Sequence, residues 1–291
     1  MTRDLDVIGI GMMMAEISPP RAGMALGDAA EVLTLLPSGS ATIFVTAAAA
    51  LGARVGFISR VGADDLGRWM VGQLCGCGVD VSAVGEVDGQ LTPVALASVD
   101  TGGAKTFAFY RFPGLSDPLS TLTSAEIPDS YLSRAAVFDL TEGSLRSALL
   151  RDASMDLARR AKTLGASICF NPNYRAGSWM GGEAEAVATL RAAFALADLA
   201  VMNDAEARMI SGRPDTASAL RWMSEQGLPV AAVTSGGEAV HVLDRGAIRS
   251  MPVPPAQVVF DVGAGDVFRA GFVAEWRRGI KACRYAQFAT A

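Results

Sequence analysis

The densest group of chemistry-bearing residues lies near the C-terminus, where a glycine loop precedes an aspartate. Residues Gly263, Ala264 and Gly265 follow an apolar run that predicts a strand over Gln257–Phe260. Small residues let the backbone approach a ligand closely, and the first N–H groups of a helix point toward a bound anion. Asp266 would sit beside that anion, where its carboxylate could take a proton from a nucleophile; the plain structural alternative is a helix N-cap.

A second polar cluster follows the predicted strand Leu199–Met202. It places Asn203 and Glu206 three residues apart. This spacing is typical of a capping box, in which each side chain accepts from the other residue's backbone. Oxygen donors that leave water in place are also what Mg2+ prefers. The cluster therefore supports either a helix cap or a magnesium site held through water.

Scarce lysine and histidine exclude several kinds of chemistry. His241 is the only histidine among 291 residues, so neither an HExxH zinc site nor a three-histidine metal site can form. It lies in a valine-rich run, which is typical of a half-exposed strand residue. The lysines Lys105, Lys162 and Lys281 do not follow glycine, which excludes a Walker A loop.

Composition and charge narrow the class of protein further. Half of the chain (51%) is hydrophobic and 19% is charged, which predicts a folded core. The net charge of −5 argues against a nucleic-acid partner. No apolar run predicts a membrane span or a signal peptide, so we expect a cytoplasmic protein without a membrane partner. The four cysteines lack CxxC spacing and are interpreted as free thiols: Cys75, Cys77, Cys169 and Cys283.

The elements that must position these residues alternate between strands and helices. Short apolar runs predict strands at Leu5–Ile10, Arg54–Ser59, Ala136–Leu140, Ser167–Phe170, Leu199–Met202 and Val230–Thr234. Helices are predicted at 42–52, Asp65–Cys77, 147–164, 183–197 and 215–227. This alternation predicts an α/β fold with a central, mostly parallel sheet and helices on both faces.

Two segments, about 14–38 and 88–112, break this alternation. Leu91–Val99 and Lys105–Arg111 alternate with period two across a turn, which predicts a β-hairpin. Residues 14–38 contain prolines and glycines rather than a helical pattern. We expect both segments to form a small β-sheet that projects over the strand ends as a lid. The whole chain, 1–291, is then one domain with two lid segments.

Taken together, several separated stretches resemble the ribokinase-like (PfkB-type) carbohydrate kinase family over essentially the whole chain. The matching stretches are Gly52–Gly67, Asn171–Arg175, Asn203–Glu206, Thr234–Gly236, and Gly263–Asp266 with Ala270 and Gly271. The resemblance implies a ribokinase-like fold and an enzyme that transfers phosphate from ATP, with Mg2+, to a sugar hydroxyl. Phosphoryl transfer needs positioning and charge stabilisation more than covalent chemistry, which suits a chain without a P-loop lysine.

The same resemblance implies a role for each matched residue. Asp266 would be the base, and the N–H groups of Gly263, Ala264 and Gly265 would hold charge on the transferred phosphoryl group. On the nucleotide side it implies Asn203, Glu206, Thr234 and Gly236, with the first two holding Mg2+ through water. On the sugar side it implies Glu16, Gly39, Ser40 and Asn173.

Two further pairs look like the 2-keto-3-deoxygluconate kinase branch of the family. Tyr110 and Arg111 lie on the predicted hairpin, and Asn173 and Arg175 follow a core strand. Two planar guanidinium groups could clamp a carboxylate. We therefore expect a sugar acid such as 2-keto-3-deoxygluconate as substrate, with a neutral ketose, a pentose or a nucleoside as rivals. A homodimer through the lid sheet is expected by resemblance alone.

The chain departs from the family pattern at several places. Glu16 falls at the spacing of the family's sugar-binding aspartate, and Gly39-Ser40 replaces the usual Gly-Gly. Phe44 stands where the family has a sugar-binding asparagine, and Phe260-Asp261 replaces the usual Asp-Thr before the glycine loop. These departures motivate one alternative, a member of the family that binds sugar or nucleotide without catalysis. The C-terminal alanine-rich stretch has no helix stop, so we expect that the chain is truncated on the nucleotide side.

A dinucleotide oxidoreductase is the second alternative. It is prompted by Gly9 and Gly11 after the first predicted strand. The fingerprint requires a third glycine to close the turn on a pyrophosphate, and Met14 stands at that position. The sequence therefore favours the kinase.

Overall fold

The structure is a computed structural model that describes residues 3–21, 23–29, 32–101, 105–110, 117–255 and 262–279. These residues form thirteen strands and eight α-helices. The strands are β1 (Leu5–Ile10), β2 (Met14–Ser18), β3 (Thr34–Ser38), β4 (Val55–Gly62), β5 (Val79–Val87), β6 (Val94–Val99), β7 (Lys105–Tyr110), β8 (Ala135–Thr141), β9 (Ser167–Asn171), β10 (Leu199–Asn203), β11 (Val230–Ser235), β12 (Ala239–Asp244) and β13 (Ala247–Pro252). The helices are α1 (Ser40–Ala50), α2 (Asp65–Gly76), α3 (Asp129–Leu132), α4 (Ala148–Thr163), α5 (Gly182–Phe194), α6 (Asp204–Ser211), α7 (Thr216–Glu225) and α8 (Ala264–Arg277).

Nine strands form the central sheet, in the order β13-β12-β11-β10-β9-β8-β1-β4-β5. Seven of them are parallel, from β11 to β5, and only β12 and β13 pair antiparallel. The predicted α/β fold with a mostly parallel sheet is confirmed. The carboxyl ends of five neighbouring strands, β1, β8, β9, β10 and β11, therefore lie at one edge of the sheet. Ligands bind at this edge in folds of this kind.

Both faces of the sheet are buried, because successive strand residues face opposite sides. In β1, Val7 packs into the cluster beneath α1, α2 and α8, whereas Ile8 packs into the cluster beneath α4 to α7. Burial on both faces explains the continuous apolar runs in the sequence. The core thus fixes α1 and α8 side by side on one face.

Four strands form a separate small sheet, in the order β3-β2-β6-β7. Strands β6 and β7 are the predicted hairpin, shortened at its start to Val94, with Val94 opposite Tyr110. Strand β2 joins the hairpin in parallel, through Ala15 beside Val94, and pairs antiparallel with β3. The small sheet therefore arises from the two segments that interrupt the strand–helix alternation.

Several elements differ from the sequence predictions. Strands β5 and β13 were not predicted, since polar residues interrupt the valines of β5 and β13 is an exposed edge strand. Helix α6 forms where the sequence indicated only a capping box. The predicted strand Gln257–Phe260 and the C-terminal stretch lie outside the described residues. His241 is half-buried on β12, as its strand context indicates. Three predicted free thiols are confirmed, at Cys75, Cys77 and Cys169, while Cys283 falls outside the described part.

Among the described helices, none combines the length and the apolar character that a membrane crossing requires.

Candidate active site

The glycine loop and the start of α8 form the centre of the site. Gly263 caps α8 with a left-handed backbone (φ 82°), a conformation that glycine adopts without strain. Its carbonyl accepts the N–H groups of Asp266 and Val267, both at 2.9 Å. Within the described residues no acceptor is assigned to the N–H groups of Ala264 and Gly265, as expected for the first turn of a helix. These two groups can stabilise a bound anion.

Helix α1 brings Ser40 to the same point. Its N-cap, Gly39, has φ 109°, and a Cβ there would lie 2.5 Å from the carbonyl oxygen of Met12. Only glycine allows α1 to begin this close to the end of β1. Ser40 Oγ donates a hydrogen bond of 2.5 Å to Asp266 Oδ1. The Asp266 carboxylate is thereby oriented by a residue 226 positions away in the chain.

Asp266 is largely withdrawn from solvent, with 14% of its side chain exposed. Burial raises the pKa of Asp266 above its usual value, while the charge of Arg269, the Ser40 hydrogen bond and the charge of Arg175 oppose the rise. A carboxylate with a raised pKa is a better proton acceptor than an ordinary one. The environment therefore suits a general base.

A cavity of about 180 Å³ lies between Asp266 and the small sheet; we call it the small-sheet cavity. Its polar lining includes Glu16, Ser38, Gly39, Ser40, Thr141, Glu142, Arg146, Asn173, Arg175, Ser178 and Asp266. Its apolar lining includes Met12, Met14, Ile43, Ala95, Phe107 and Phe109. The roof comes from the small sheet, where the rings of Phe107 and Phe109 stack 5.9 Å apart.

Two buried acidic side chains face the small-sheet cavity. Glu16 accepts a hydrogen bond of 2.7 Å from Ser38, which fixes it on β2. Glu142 follows β8, where Oε1 accepts 2.9 Å from the indole N–H of Trp179 and Oε2 lies 3.6 Å from Arg146 Nε. Both acidic groups are held in place by neighbours and can accept further hydrogen bonds from ligand hydroxyls.

A second cavity of about 430 Å³ lies along the ends of β9, β10 and β11; we call it the sheet-edge cavity. It is lined by Phe107, Asn171, Asn173, Arg175, Val201, Met202, Asn203, Glu206, Thr234, Val262, Gly263, Gly265, Asp266 and Phe268. The sequence-predicted residues Asn203, Glu206 and Thr234 are therefore brought together in one cavity.

The Asn203–Glu206 cluster is a capping box as well as part of the cavity lining. Asn203 Oδ1 accepts from Glu206 N at 2.8 Å, and Glu206 Oε2 accepts from Asn203 N at 2.9 Å. Glu206 Oε1 also accepts from Tyr174 N at 2.8 Å, which ties the loop after β9 to α6. Burial raises the pKa of Glu206, and the two backbone donors oppose the rise. The cluster can therefore cap α6 and also face a ligand in the sheet-edge cavity.

The two cavities meet at one point. The residues lining both are Phe107, Asn173, Arg175, Val262, Gly263 and Asp266. Asn173 adopts a rare positive φ of 40°, which is strained for a residue with a side chain and often marks a functional position. The base candidate and the glycine loop therefore stand where a ligand in one cavity would face a ligand in the other.

Two predicted site residues are not part of this arrangement. Tyr110 is 66% exposed, on the opposite face of β7 from Phe107 and Phe109, and is not among the described lining residues. Gly236 is likewise absent from the described lining of the sheet-edge cavity. Arg111 and the Phe260-Asp261 departure lie outside the described residues.

Sequence reasoning missed Glu142, Arg146 and Thr141. Thr141 and Glu142 directly follow the predicted strand Ala136–Leu140, so their position at a strand end was the available signal. Arg146 carries no such signal, because it reaches the cavity from an irregular segment between β8 and α4.

Comparison with known proteins gives one family. The family model described as pfkB family carbohydrate kinase matches residues 3–291. Fructokinase-1 of Oryza sativa subsp. japonica is 30% identical over 267 residues, which cover 90% of this chain and 80% of that protein. The fructokinase of Klebsiella pneumoniae is 30% identical over 260 residues, covering 86% of this chain and 82% of that protein.

Two solved structures share the fold. A candidate ribokinase II from E. coli, solved with ATP and Mg2+, superposes with a TM-score of 0.86 at 24% identity, over 98% of this chain and 90% of that chain. The fructokinase of Vibrio cholerae O395, solved with fructose, ADP and a calcium ion, gives a TM-score of 0.84 at 21% identity, over 98% of this chain and 91% of that chain.

Proposed function

The chain belongs to the pfkB family of carbohydrate kinases, and we propose that it phosphorylates a neutral ketose with ATP, using Asp266 as the base. The observation that carries this proposal is the junction of two cavities at Asp266 and Gly263. Two substrates in separate cavities can react only where the cavities meet. A hydroxyl nucleophile requires a carboxylate there, and the transferred phosphoryl group requires N–H donors, such as those of Ala264 and Gly265, which have no acceptor among the described residues.

The reaction balances with the residues at that junction. The sugar oxygen forms a bond to the γ-phosphorus of ATP while the bond from that phosphorus to the β–γ bridging oxygen breaks, and ADP leaves. Asp266 takes the hydroxyl proton, and Ser40 holds its carboxylate. The N–H groups of Ala264 and Gly265 stabilise charge on the transferred group, which supplies the dominant kind of catalysis in such sites.

The sheet-edge cavity is the proposed nucleotide side, lined by Asn203, Glu206 and Thr234. Each oxygen of Glu206, and the amide oxygen of Asn203, already accepts one backbone N–H, so further lone pairs remain for water. This donor set fits a hydrated Mg2+ rather than a directly ligated ion. When bound, Mg2+ would neutralise phosphate charge.

A neutral ketose is favoured by the charges of the small-sheet cavity. Among the described lining residues away from the junction, Glu16 and Glu142 face the cavity with one basic group, Arg146, which already lies 3.6 Å from Glu142. A substrate carboxylate would meet two acidic side chains there, whereas sugar hydroxyls can donate to both. The fructokinase relatives support the same class of substrate.

A sugar acid such as 2-keto-3-deoxygluconate is the rival substrate, because Arg175 and Arg146 both line the cavity. The test is a coupled assay of ATP consumption against fructose, ribose, a nucleoside and 2-keto-3-deoxygluconate. We expect the highest kcat/KM with a neutral ketose. A tenfold preference for the acid, abolished by Arg175→Ala, would replace the ketose with the acid; no ATP consumption with any member of the panel would contradict kinase activity on these sugars.

We also propose that the small sheet acts as a lid over one domain, since Phe107 and Phe109 roof the cavity. Exclusion of water at this place would suppress hydrolysis of ATP. The dimer expectation is supported by exposed apolar side chains on β3, where Leu35 and Leu36 are 40% and 49% exposed. Measurement of the molecular mass in solution tests it.

A further inference from the structure

Arg269 is a fully buried arginine, with none of its side chain exposed. It lies on α8, three residues after Asp266, and therefore on nearly the same face of the helix. Arginine is almost never fully buried unless it is paired. Among the described residues that line the two cavities, Arg269 is absent, so it stands behind the site rather than in it.

The Arg269 guanidinium is surrounded by groups that belong to the site. Its Nη2 donates to the Ser40 carbonyl at 3.3 Å and lies 3.4 Å from both Ser40 Oγ and Asp266 Oδ1. One cation thus contacts both the base candidate and the residue that orients it. Its contacts are long, so the cation acts mainly through its charge.

Asp139 stands on the other side of Arg269, with Oδ2 at 3.6 Å from Nη1. Its side chain is fully buried on β8. The sequence of charges is therefore Asp139, Arg269, Asp266, with the cation shared between two carboxylates. Because buried charges are weakly screened, each carboxylate partly offsets the electrostatic stabilisation that Arg269 gives to the other carboxylate.

Phe44 completes the setting of Arg269. The guanidinium carbon lies 4.4 Å from the centroid of the Phe44 ring, a cation–π contact in a buried environment. Phe44 is itself fully buried on α1. Phe44 and Arg269 therefore form a buried pair, in which the ring face at position 44 supports the cation.

We propose that Arg269, seated between Asp139 and the Phe44 ring, is a positioning residue that holds the Asp266 carboxylate ionised and aligned with Ser40. The inference rests on the proposed function of Asp266. Among the described residues, the charged groups that face Asp266 are Arg269 from its own helix, Arg175 from the loop after β9, and Asp139 behind Arg269. Burial raises the pKa of Asp139, whereas Arg269 and the Cys169 thiol on β9 oppose the rise.

The consequence is a pair of opposite pH effects. Arg269 opposes the rise in the pKa of Asp266 that burial causes. Removal of the cation should raise that pKa, so the acidic limb of kcat/KM moves to higher pH. Removal of the Asp139 charge strengthens the effect of the Arg269 cation on Asp266. The pKa of Asp266 should then fall, so the acidic limb of kcat/KM should move to lower pH. A merely structural pair would not move the limb in opposite directions.

The experiment measures kcat, both KM values and the pH profile for Arg269→Met, Arg269→Lys and Asp139→Asn. We expect Arg269→Met to lower kcat about 10- to 100-fold with both KM values within threefold, and Arg269→Lys to restore most of it. Unchanged kcat and an unmoved limb in Arg269→Met would overturn the inference. Should Arg269→Met fail to fold, Asp139→Asn carries the test, and an unmoved limb in that variant overturns it.

Failure of the proposed function gives a different result. Asp266→Asn would then keep wild-type kcat, while the Arg269 variants could behave in any way. That result overturns the inference too, because Arg269 would have no base to position.

Discussion

The two cavities that meet at Asp266 are built in different ways. The sheet-edge cavity is lined by strand ends and by the glycine loop, so its residues come in short sequence clusters such as Asn203–Glu206. The small-sheet cavity combines two such clusters, Ser38–Ala41 and Thr141–Gly143, with side chains from the small sheet, such as Glu16 on β2 and Phe109 on β7. The sheet-edge cavity thus depends mainly on the central sheet and the glycine loop, whereas the small-sheet cavity forms only when the small sheet is assembled over the central one. The proposed nucleotide side follows the first pattern, and the proposed sugar side follows the second.

Among backbone substitutions, Gly263→Ala should perturb this comparison most, since Gly263 belongs to both cavities. The left-handed backbone costs alanine about 1–2 kcal/mol, and the new Cβ would lie 3.1 Å from Ile43. We expect a lower melting temperature and a loss of at least about tenfold in kcat, equivalent to 1.4 kcal/mol. Denaturant unfolding and initial rates measure the two effects.

Gly265→Ala is the matched control for that variant. A Cβ at Gly265 would meet no atom within 4 Å, and its backbone is helical, so stability should be unchanged. The methyl group lies by the sheet-edge cavity and should raise the KM for ATP alone. Equal destabilisation by the two substitutions would contradict the role assigned to Gly263.

Glu142→Gln tests the sugar side. A hydrogen bond to a charged group contributes about 1.5–3 kcal/mol, so we expect the KM for sugar to rise by at least about tenfold while the KM for ATP stays within twofold. Glu16→Gln, on strand β2 of the small sheet, is the matched control. We expect a smaller rise in the KM for sugar from this variant. An increase in the KM for ATP as large as that for sugar would show that the two cavities are not separate sites.

Glu206→Gln tests the nucleotide side in the opposite sense. The neutral amide loses one backbone acceptor and the negative charge at the proposed Mg2+ site, so the KM for MgATP should rise about fivefold, roughly 1 kcal/mol. The KM for sugar should not change. Titration of Mg2+ at fixed ATP provides the measurement, and an unchanged Mg2+ requirement would remove Glu206 from the proposed metal site.

The smallest expected effect is that of Phe109→Ala in the roof. The ring is 48% exposed, so its removal should cost little stability and reduce kcat/KM for sugar by about two- to threefold. ATP hydrolysis without sugar should rise over the same range, because the roof excludes water less well. If hydrolysis is unaffected, the small sheet is not a lid.

The fold was largely readable from the sequence because it depends on local patterns. Apolar runs such as Leu5–Ile10 and Leu199–Met202 give buried parallel strands, and the glycine loop marks the start of α8. Strand β5 escaped prediction because polar residues and a glycine interrupt its valines, so no continuous apolar run marks it.

The sequence predicted site residues only where a local motif marks them. Asp266 and Asn203 carry their signal in their immediate neighbours. Arg269 and Glu142 acquire their roles from contacts with residues that are distant in the chain, Asp139 and Trp179. Nothing local distinguishes a buried arginine on a helix from a solvated one. The identity of the sugar depends on this second kind of residue, which is why the sequence indicates the reaction more clearly than the substrate.

The central claim is that Asp266 takes the proton of the sugar hydroxyl at the junction of the cavities. The most direct test is the kcat of Asp266→Asn, which retains the shape and the Ser40 contact but cannot accept a proton. Because general base catalysis contributes about 10²- to 10⁴-fold, we predict a loss of kcat in that range with both KM values within threefold. A variant that keeps more than a tenth of wild-type kcat would contradict the account.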